Sequence, residues 1–366
     1  MTISVSAAVL TDCPGDLALA TLELDSPAAG EVLVRTAAAG LCHSDLHFMR
    51  GTYRPPLPIV LGHEIAGVVE QVGPGVSYLR PGDHVAGCLS VFCGECDFCV
   101  TGRPYLCTSV STRRPPDAPP RLRLGEQLVH QGGQLGGFAE ALLVHEHALV
   151  KIDPAMPLDR AAVLGCAVMT GVGAVFRTAR VRPGATVAVI GCGGVGLNVI
   201  QGAVLAGASR VIAIDQRAAK LDLAKRFGAT DVLDASQQDA VAGVRELTGG
   251  GVEYSFEAIG LTVTAEQSFD MLARGGTATV IGLIPAGERV SLDASAFWTA
   301  EKRVQGSTLG SNRFRYDLPR LVDLYLQGRL NLDDLVSSRI ALGDINSGFA
   351  ALASGDVARS IVVYDR

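Results

Sequence analysis

Up to about residue 150 the chain advances in short apolar runs broken by Gly and Pro: EVLVRTAAAG (31–40), EIAGVVEQVG (64–73), DHVAGCLS (83–90) and FAEALLV (138–144). With turn chemistry between them, at VGPGV (72–76) and LRPGDHV (79–85), this spacing predicts an irregular, barrel-like β-rich region. After about 160 the pattern changes. Purely apolar runs, ATVAVIG, RVIAIDQ, VEYSFEAIG and TATVIGL, alternate with helical segments such as GAVLAG and AAKLDLAKRFGA. Strands apolar on both faces belong in a parallel sheet covered by helices. From about 306 onward, YDLPRLVDLYLQGRL and GDINSGFAALASGD read as amphipathic helices and RSIVVYD as a closing strand. The proline-rich RRPPDAPP, from 113, reads as an exposed loop, and no internal repeat is visible.

Size and charge narrow the picture. A chain of 366 residues exceeds what one core usually organises, so two domains, or one with a large insertion, are expected. The net charge of −6, with a single short basic cluster at 113–123, gives no footprint for nucleic acid. The start lacks a basic region followed by an apolar core, and no stretch of eighteen apolar residues occurs, so neither export nor a membrane span is expected. Nine cysteines in that context suggest reduced thiols in a cytoplasm, where close spacings mean metal more often than disulfide.

The chemistry starts at VAVIGCGGVG. Gly191, Gly193 and Gly196 form a G-x-G-x-x-G pattern, with Gly194 and Val195 inside it, directly after a buried strand and at the mouth of a helix. The first glycine permits the tight turn, the second lets backbone approach a pyrophosphate, and the third lets helix and strand pack closely. Asp215 ends the next apolar run, about 20 residues on, where a carboxylate accepts the ribose hydroxyls of NAD and repels a 2′-phosphate. Arg217 is the residue that speaks for NADP, and Lys220 is within reach of the same ribose.

Two constellations could hold metal. Cys93, Cys96, Cys99 and Cys107 follow a C-x2-C-x2-C-x7-C spacing, and four thiolates can close a tetrahedral shell around zinc with no position left for substrate. Redox chemistry is the alternative for a C-x-x-C pair. The second set is scattered: Cys42 in GLCHSDLH, His63 in LGHEIAG and Cys166 in LGCAVMTG. Two sulfurs and one nitrogen would leave a zinc position open, and an open zinc is a Lewis acid. Taken singly, a buried cysteine such as Cys13 or Cys166 is more often core than ligand; the joint occurrence of the trio, in this order ahead of the glycine turn, argues for ligands.

At GLCHSDLH, LGHE, the four-cysteine stretch, LGC…TG, GCGGVG and AID, in that order, the chain resembles the zinc-dependent medium-chain alcohol dehydrogenases along nearly its whole length. The resemblance implies an α/β fold in which a Rossmann-type, doubly wound parallel sheet is inserted into a β-rich, GroES-like barrel catalytic domain. The implied boundaries are 1–167, with a structural zinc lobe at about 88–115; 168–308 for NAD; and 309–366 returning to the catalytic domain. It implies that Cys42, His63 and Cys166 bind catalytic zinc, with Glu64 an alternative ligand and Asp45 the partner of His63. It also implies a second, structural zinc on the four cysteines, a proton relay through Ser44 and His47, and His43 and Arg359 near the cofactor phosphates.

By the same resemblance, substrate occupies an inter-domain cleft lined by Ser44, Tyr53, Leu89, Phe138, Leu283 and Thr308. Ala296 and Thr299 stand where bulkier residues occur in relatives, so a bulky, aromatic or longer-chain primary alcohol is expected. Thiol-dependent formaldehyde oxidation ranks below this, since Tyr53 and Ser111 occupy places where charged groups would serve it; a polyol or secondary alcohol is the other alternative. A non-catalytic, NAD-binding redox sensor is the rival of a different class. A homodimer is expected from the long segment between Cys107 and Phe138, with RVSLDAS (289–295) pairing edge to edge.

Overall fold

In the computed structural model, which describes residues 2–115, 117–355 and 357–364, the run EVLVRTAAAG forms the strand Glu31–Gly40 and pairs antiparallel with Glu64–Val72. The ladder sets Gly40 opposite Glu64, and its register slips between Leu33 and Val34 and between Thr36 and Ala38. Such irregularities re-aim side chains at the end of a strand. Around this pair the sheet extends through His84–Gly87 and Leu149–Lys151 on one side and Ser360–Val363 and Ser338–Ile340 on the other. A second sheet closes into a barrel from Ile3–Leu10, Leu17–Leu24, Leu122–Leu124, Gln127–Gln131 and Ile59–Val60.

These two sheets, with the helix Ile345–Ser354, make one compact unit from Met1–Cys166 and Arg313–Arg366. Its core is aliphatic, with Phe138 and Phe349 meeting edge to face at 5.8 Å. Pro116 and Asp365, which complete the proline-rich run and the closing strand of the sequence reading, lie outside the described residues. The proline-rich segment is more firmly held than an exposed loop would be. Arg114 donates to Glu31 Oε2 at 2.6 Å, to Asp25 Oδ2 at 2.7 Å and to Ser26 O at 3.0 Å. Arg121 adds a bond to Glu31 Oε1 at 2.7 Å.

The second unit is the contiguous piece Ala167–Asn312. The sequence reading returned to the first domain after Thr308. The turn Leu309–Ser311 instead stays with the second unit, because Gly310 packs so closely on Met169 and Gly173 that a Cβ there would lie 2.3 Å from Met169 O.

Six strands, numbered within this unit as β1 (Thr186–Ile190), β2 (Arg210–Asp215), β3 (Asp231–Asp234), β4 (Val252–Glu257), β5 (Leu272–Val280) and β6 (Arg303–Gly306), are all parallel. Their order is β3-β2-β1-β4-β5-β6, the doubly wound arrangement, with helices such as Gly194–Leu205 and Ala218–Arg226 between strands. Within the single chain, among the described residues, RVSLDAS pairs with no strand: it follows the turn at 285–288, and the Ser291 N–H bonds the Glu266 side chain. No single helix among the described residues is long and apolar enough to cross a membrane.

Candidate functional site

Four metal-binding side chains from three parts of the chain converge in the first unit. Cys42 caps the helix His43–Met49, His63 and Glu64 open the strand Glu64–Val72, and Cys166 ends a 3-10 turn. One ligand atom of each lies within 4.8 Å of every other, and all four residues are buried. Glycines make the convergence possible. Gly62, at φ +91°, turns the chain into His63, and a Cβ on Gly40 would stand 2.3 Å from Glu64 Oε2.

The imidazole is held from behind. Asp45 Oδ1 meets His63 Nδ1 at 3.1 Å and accepts the Gly62 N–H at 3.1 Å. His63 Nε2 is then left buried with no hydrogen-bond partner among the described residues. A buried nitrogen without a partner, facing two thiols, is what a metal ligand looks like from the protein side. Two sulfurs and one imidazole suit zinc and leave room for a further ligand.

Charge around the set is balanced by Arg359, whose Nη1 donates to Leu41 O at 3.1 Å and whose Nη2 lies 3.2 Å from Glu64 Oε1. Burial pushes the Glu64 carboxyl up to about 7 against the pull of Arg359. The Cys166 bond, with the Arg359 and His63 charges, holds the Cys42 thiol well below its ordinary value. Ser44 Oγ is 3.7 Å from Cys42 Sγ, and the His47 ring meets Tyr53 edge-on at 6.1 Å.

The four-cysteine stretch makes a different object. Sulfur pairs are 3.8 Å apart for Cys93–Cys99, 3.5 Å for Cys96–Cys99, 3.8 Å for Cys96–Cys107 and 3.6 Å for Cys93–Cys107. A tetrahedron of thiolates around zinc has edges of about 3.8 Å. Backbone N–H groups of Glu95 and Cys96 point at Cys93 Sγ, at 3.5 and 3.3 Å, and the Glu95 bond draws that thiol down to about 6. All four cysteines are only half-buried. The four sulfurs are mutually close enough to satisfy a metal completely.

In the second unit the glycine turn has the form its sequence predicts. Gly191 adopts φ +94°, and a Cβ on Gly196 would lie 1.7 Å from Gly191 O, so helix and strand pack as closely as backbone allows. A Cβ on Gly193 would meet nothing within 4 Å, which leaves the helix N-terminus open to an anion. Asp215 braces the turn: its Oδ2 accepts the Cys192 N–H at 2.9 Å and its Oδ1 the Arg217 N–H at 3.1 Å. Burial pushes the Cys192 thiol up, which leaves it inert.

The expected pocket residues fall in several places. Phe138 is fully buried in the first unit, where it packs on Phe349 and against Gly62, the neighbour of His63. Leu89 stands beside His63 across Gly133, and Tyr53 beside His47; Leu283 and Thr308 are exposed residues of the second unit. His43 is exposed on the helix that follows Cys42. Arg359, read from sequence as a phosphate contact, also has an unforeseen place as the counter-charge of Glu64. Nothing in local spacing marks that pair; the signal is the pairing of the closing strand with Ala38–Gly40.

Comparison with known proteins finds two matching family models. Residues 28–154 match the alcohol dehydrogenase GroES-like domain and residues 194–327 the zinc-binding dehydrogenase family. The chain is similar to an NDMA-dependent alcohol dehydrogenase of Amycolatopsis methanolica, at 39% identity over 99% of each chain. It is similar to a probable S-(hydroxymethyl)glutathione dehydrogenase 1 of Schizosaccharomyces pombe, at 39% identity over 99% of this chain and 97% of the other. Among solved structures, benzyl alcohol dehydrogenase from Acinetobacter calcoaceticus superposes with a TM-score of 0.94, at 33% identity over 99% of this chain and 100% of the other.

Proposed function

We propose that this chain, which belongs to the zinc-dependent medium-chain alcohol dehydrogenase family, oxidises a bulky, aromatic or longer-chain primary alcohol reversibly to its aldehyde, using NAD and two zinc ions. The observation that carries the reading is the partnerless, buried His63 Nε2 facing Cys42 and Cys166. When bound, zinc supplies Lewis acidity toward a hydroxyl, and NAD accepts hydride.

The chain's own residues do the rest. Cys42, His63 and Cys166 hold the first zinc, Asp45 fixes the His63 ring, and Glu64 and Arg359 set the local charge. Ser44 Oγ relays the proton leaving the substrate hydroxyl, and the His47 imidazole passes it toward solvent. Cys93, Cys96, Cys99 and Cys107 hold the second zinc as a staple. Gly191 to Gly196 receive the pyrophosphate, and Asp215, with Lys220 nearby, the adenosine ribose. A non-catalytic sensor is disfavoured, because it needs neither an open metal position nor a relay.

The benzyl alcohol dehydrogenase likeness supports an aromatic alcohol, and the S-(hydroxymethyl)glutathione dehydrogenase likeness keeps a thiol adduct as second reading. An initial-rate screen tests this: ethanol, octanol, benzyl alcohol, a polyol and S-(hydroxymethyl)glutathione, each with NAD, NADP and NDMA. Benzyl alcohol with NAD is expected to give the highest kcat/KM. Turnover falling steadily from ethanol to benzyl alcohol overturns the substrate reading, and turnover only with NADP or only with NDMA overturns the NAD reading.

A further inference from the structure

The chain enters the four-cysteine stretch through the peptide unit that joins Phe92 to Cys93, and both polar ends of that unit are engaged. His147 Nδ1 meets the Phe92 carbonyl at 2.7 Å. The Cys93 N–H points at Cys107 Sγ, at 3.3 Å. A carbonyl can only accept, so Nδ1 carries the proton and donates it. Burial, reinforced by the Arg315 charge, outweighs the Phe92 bond and holds the His147 imidazole below its ordinary range, so the ring is neutral and Nδ1–H is its one donor.

A peptide is planar, so a bond that fixes its carbonyl also fixes the direction of its N–H. It polarises as a unit as well, and a carbonyl that accepts a bond makes its N–H the stronger donor. The run of bonds goes from imidazole to carbonyl and from N–H to sulfur. Cys93 Sγ draws its N–H groups from Glu95 and Cys96, inside the stretch. Cys107 Sγ draws on a peptide held from outside it.

The imidazole is itself held in place. Its ring lies parallel to the Phe92 ring, at 4.7 Å and 3°. The His147 backbone N–H donates to His145 Nδ1 at 3.1 Å, which seats the 3-10 turn Glu146–Ala148. Phe314 meets Phe92 edge-on at 5.7 Å, and the Arg315 guanidinium stands 5.5 Å from the same ring. Arg315 donates in turn to the carbonyls of Glu146, at 2.5 Å, and Leu149, at 3.1 Å. Any flat ring at 147 would serve the packing; the bond to the Phe92 carbonyl needs a nitrogen donor.

We propose that His147 is a positioning residue of the second metal site: through the Phe92–Cys93 peptide it directs an N–H at Cys107 Sγ and so sets how firmly that sulfur stays on zinc. This rests on the reading that Cys93, Cys96, Cys99 and Cys107 hold a zinc, and the test separates the two. Full-length wild type, His147→Phe and His147→Asn are loaded with zinc and challenged with a chelator, while iodoacetamide labelling read by peptide mass reports which cysteines become free. His147→Phe keeps a ring to stack on Phe92 and lacks the donor, whereas His147→Asn keeps an N–H donor and lacks the ring. His147→Phe is expected to free Cys107 about tenfold faster than wild type and His147→Asn within about twofold of it, the scale on which outer partners of metal ligands act. Cys42 and Cys166 should label alike in all three. Equal rates in wild type and His147→Phe overturn the proposal, and so does equal acceleration in both variants, which assigns the effect to ring packing. A wild type whose four cysteines label at once in the presence of zinc overturns the second-zinc reading and the proposal with it. Should His147→Phe not fold, nitrogen NMR of the wild-type histidines decides: the His147 proton is expected on Nδ1, and a proton on Nε2 alone overturns the proposal.

Discussion

The two cysteine sites of the first unit use the same ligand chemistry in opposite ways. Cys93 to Cys107 lie in one short stretch, half-buried, with four sulfurs close to one another. Cys42, His63 and Cys166 come from distant parts of the chain, are buried, and bring only two sulfurs and a nitrogen, with Glu64 and Arg359 behind them. Four thiolates can close a zinc shell, whereas two sulfurs and one nitrogen leave a position open, so under the proposed function reactivity follows the missing ligand and not the density of cysteines.

The comparison breaks most visibly at Cys42. Cys42→Ser is expected to lower kcat by about a thousandfold or more, the scale of a lost Lewis acid, while circular dichroism and NADH titration match wild type. Retained turnover would show that the scattered set is not the reactive one.

Cys96→Ser is expected to lose one metal per chain by elemental analysis and to melt well below wild type, since structural zinc contributes folding free energy. Its folded fraction should still turn over substrate. If it kept both its metal and its melting temperature yet lost activity, the division of labour between the sites would be wrong.

Asp45→Asn sharpens the contrast within the buried site. It keeps a side chain at His63 Nδ1 but removes the charge, and about 10–100-fold loss in metal affinity or activity is expected. Chelator competition followed by reconstitution measures it; the four-cysteine site should keep its metal throughout.

The smallest effect concerns the segment leaving the lobe. Burial pushes the Glu31 carboxyl up, but bonds from Arg114 and the Arg121 charge outweigh it and hold the group below its ordinary range. A folded-state pKa below the unfolded one, about 4.3 for Glu, gives stability that is full above that value and is lost as pH falls. Urea midpoints should fall on acidification through about pH 4, and Glu31→Gln, weaker at neutral pH, should show a shallower fall. Parallel acid profiles for the two proteins would remove Glu31 from the explanation.

Sequence carried the parts whose geometry is local. The glycine turn, the four-cysteine spacing and the alternation of apolar runs with helices depend on neighbours, and each appears where its residues predict it. What sequence did not carry is tertiary. The turn through Gly136 and Gly137 directs Phe138 into the core against Phe349. The Glu64–Arg359 ion pair depends on which strands lie side by side, and local spacing does not encode that.

The discontinuity of the first unit also sets an order of events during synthesis. Residues 167–312 form a contiguous unit, so that piece can close on contacts already made. The strand Glu31–Gly40 finds Glu64–Val72 nearby, but its last residues, Ala38–Gly40, take Ser360–Val363 from the far end of the chain, across a long loop whose closure is slow. Until Arg359 arrives, Glu64 has no counter-charge and the trio around it is unfinished. The buried set around Cys42, His63 and Cys166 is thereby complete only when the last strand is in place, whereas the four-cysteine set needs nothing beyond residues 93–107.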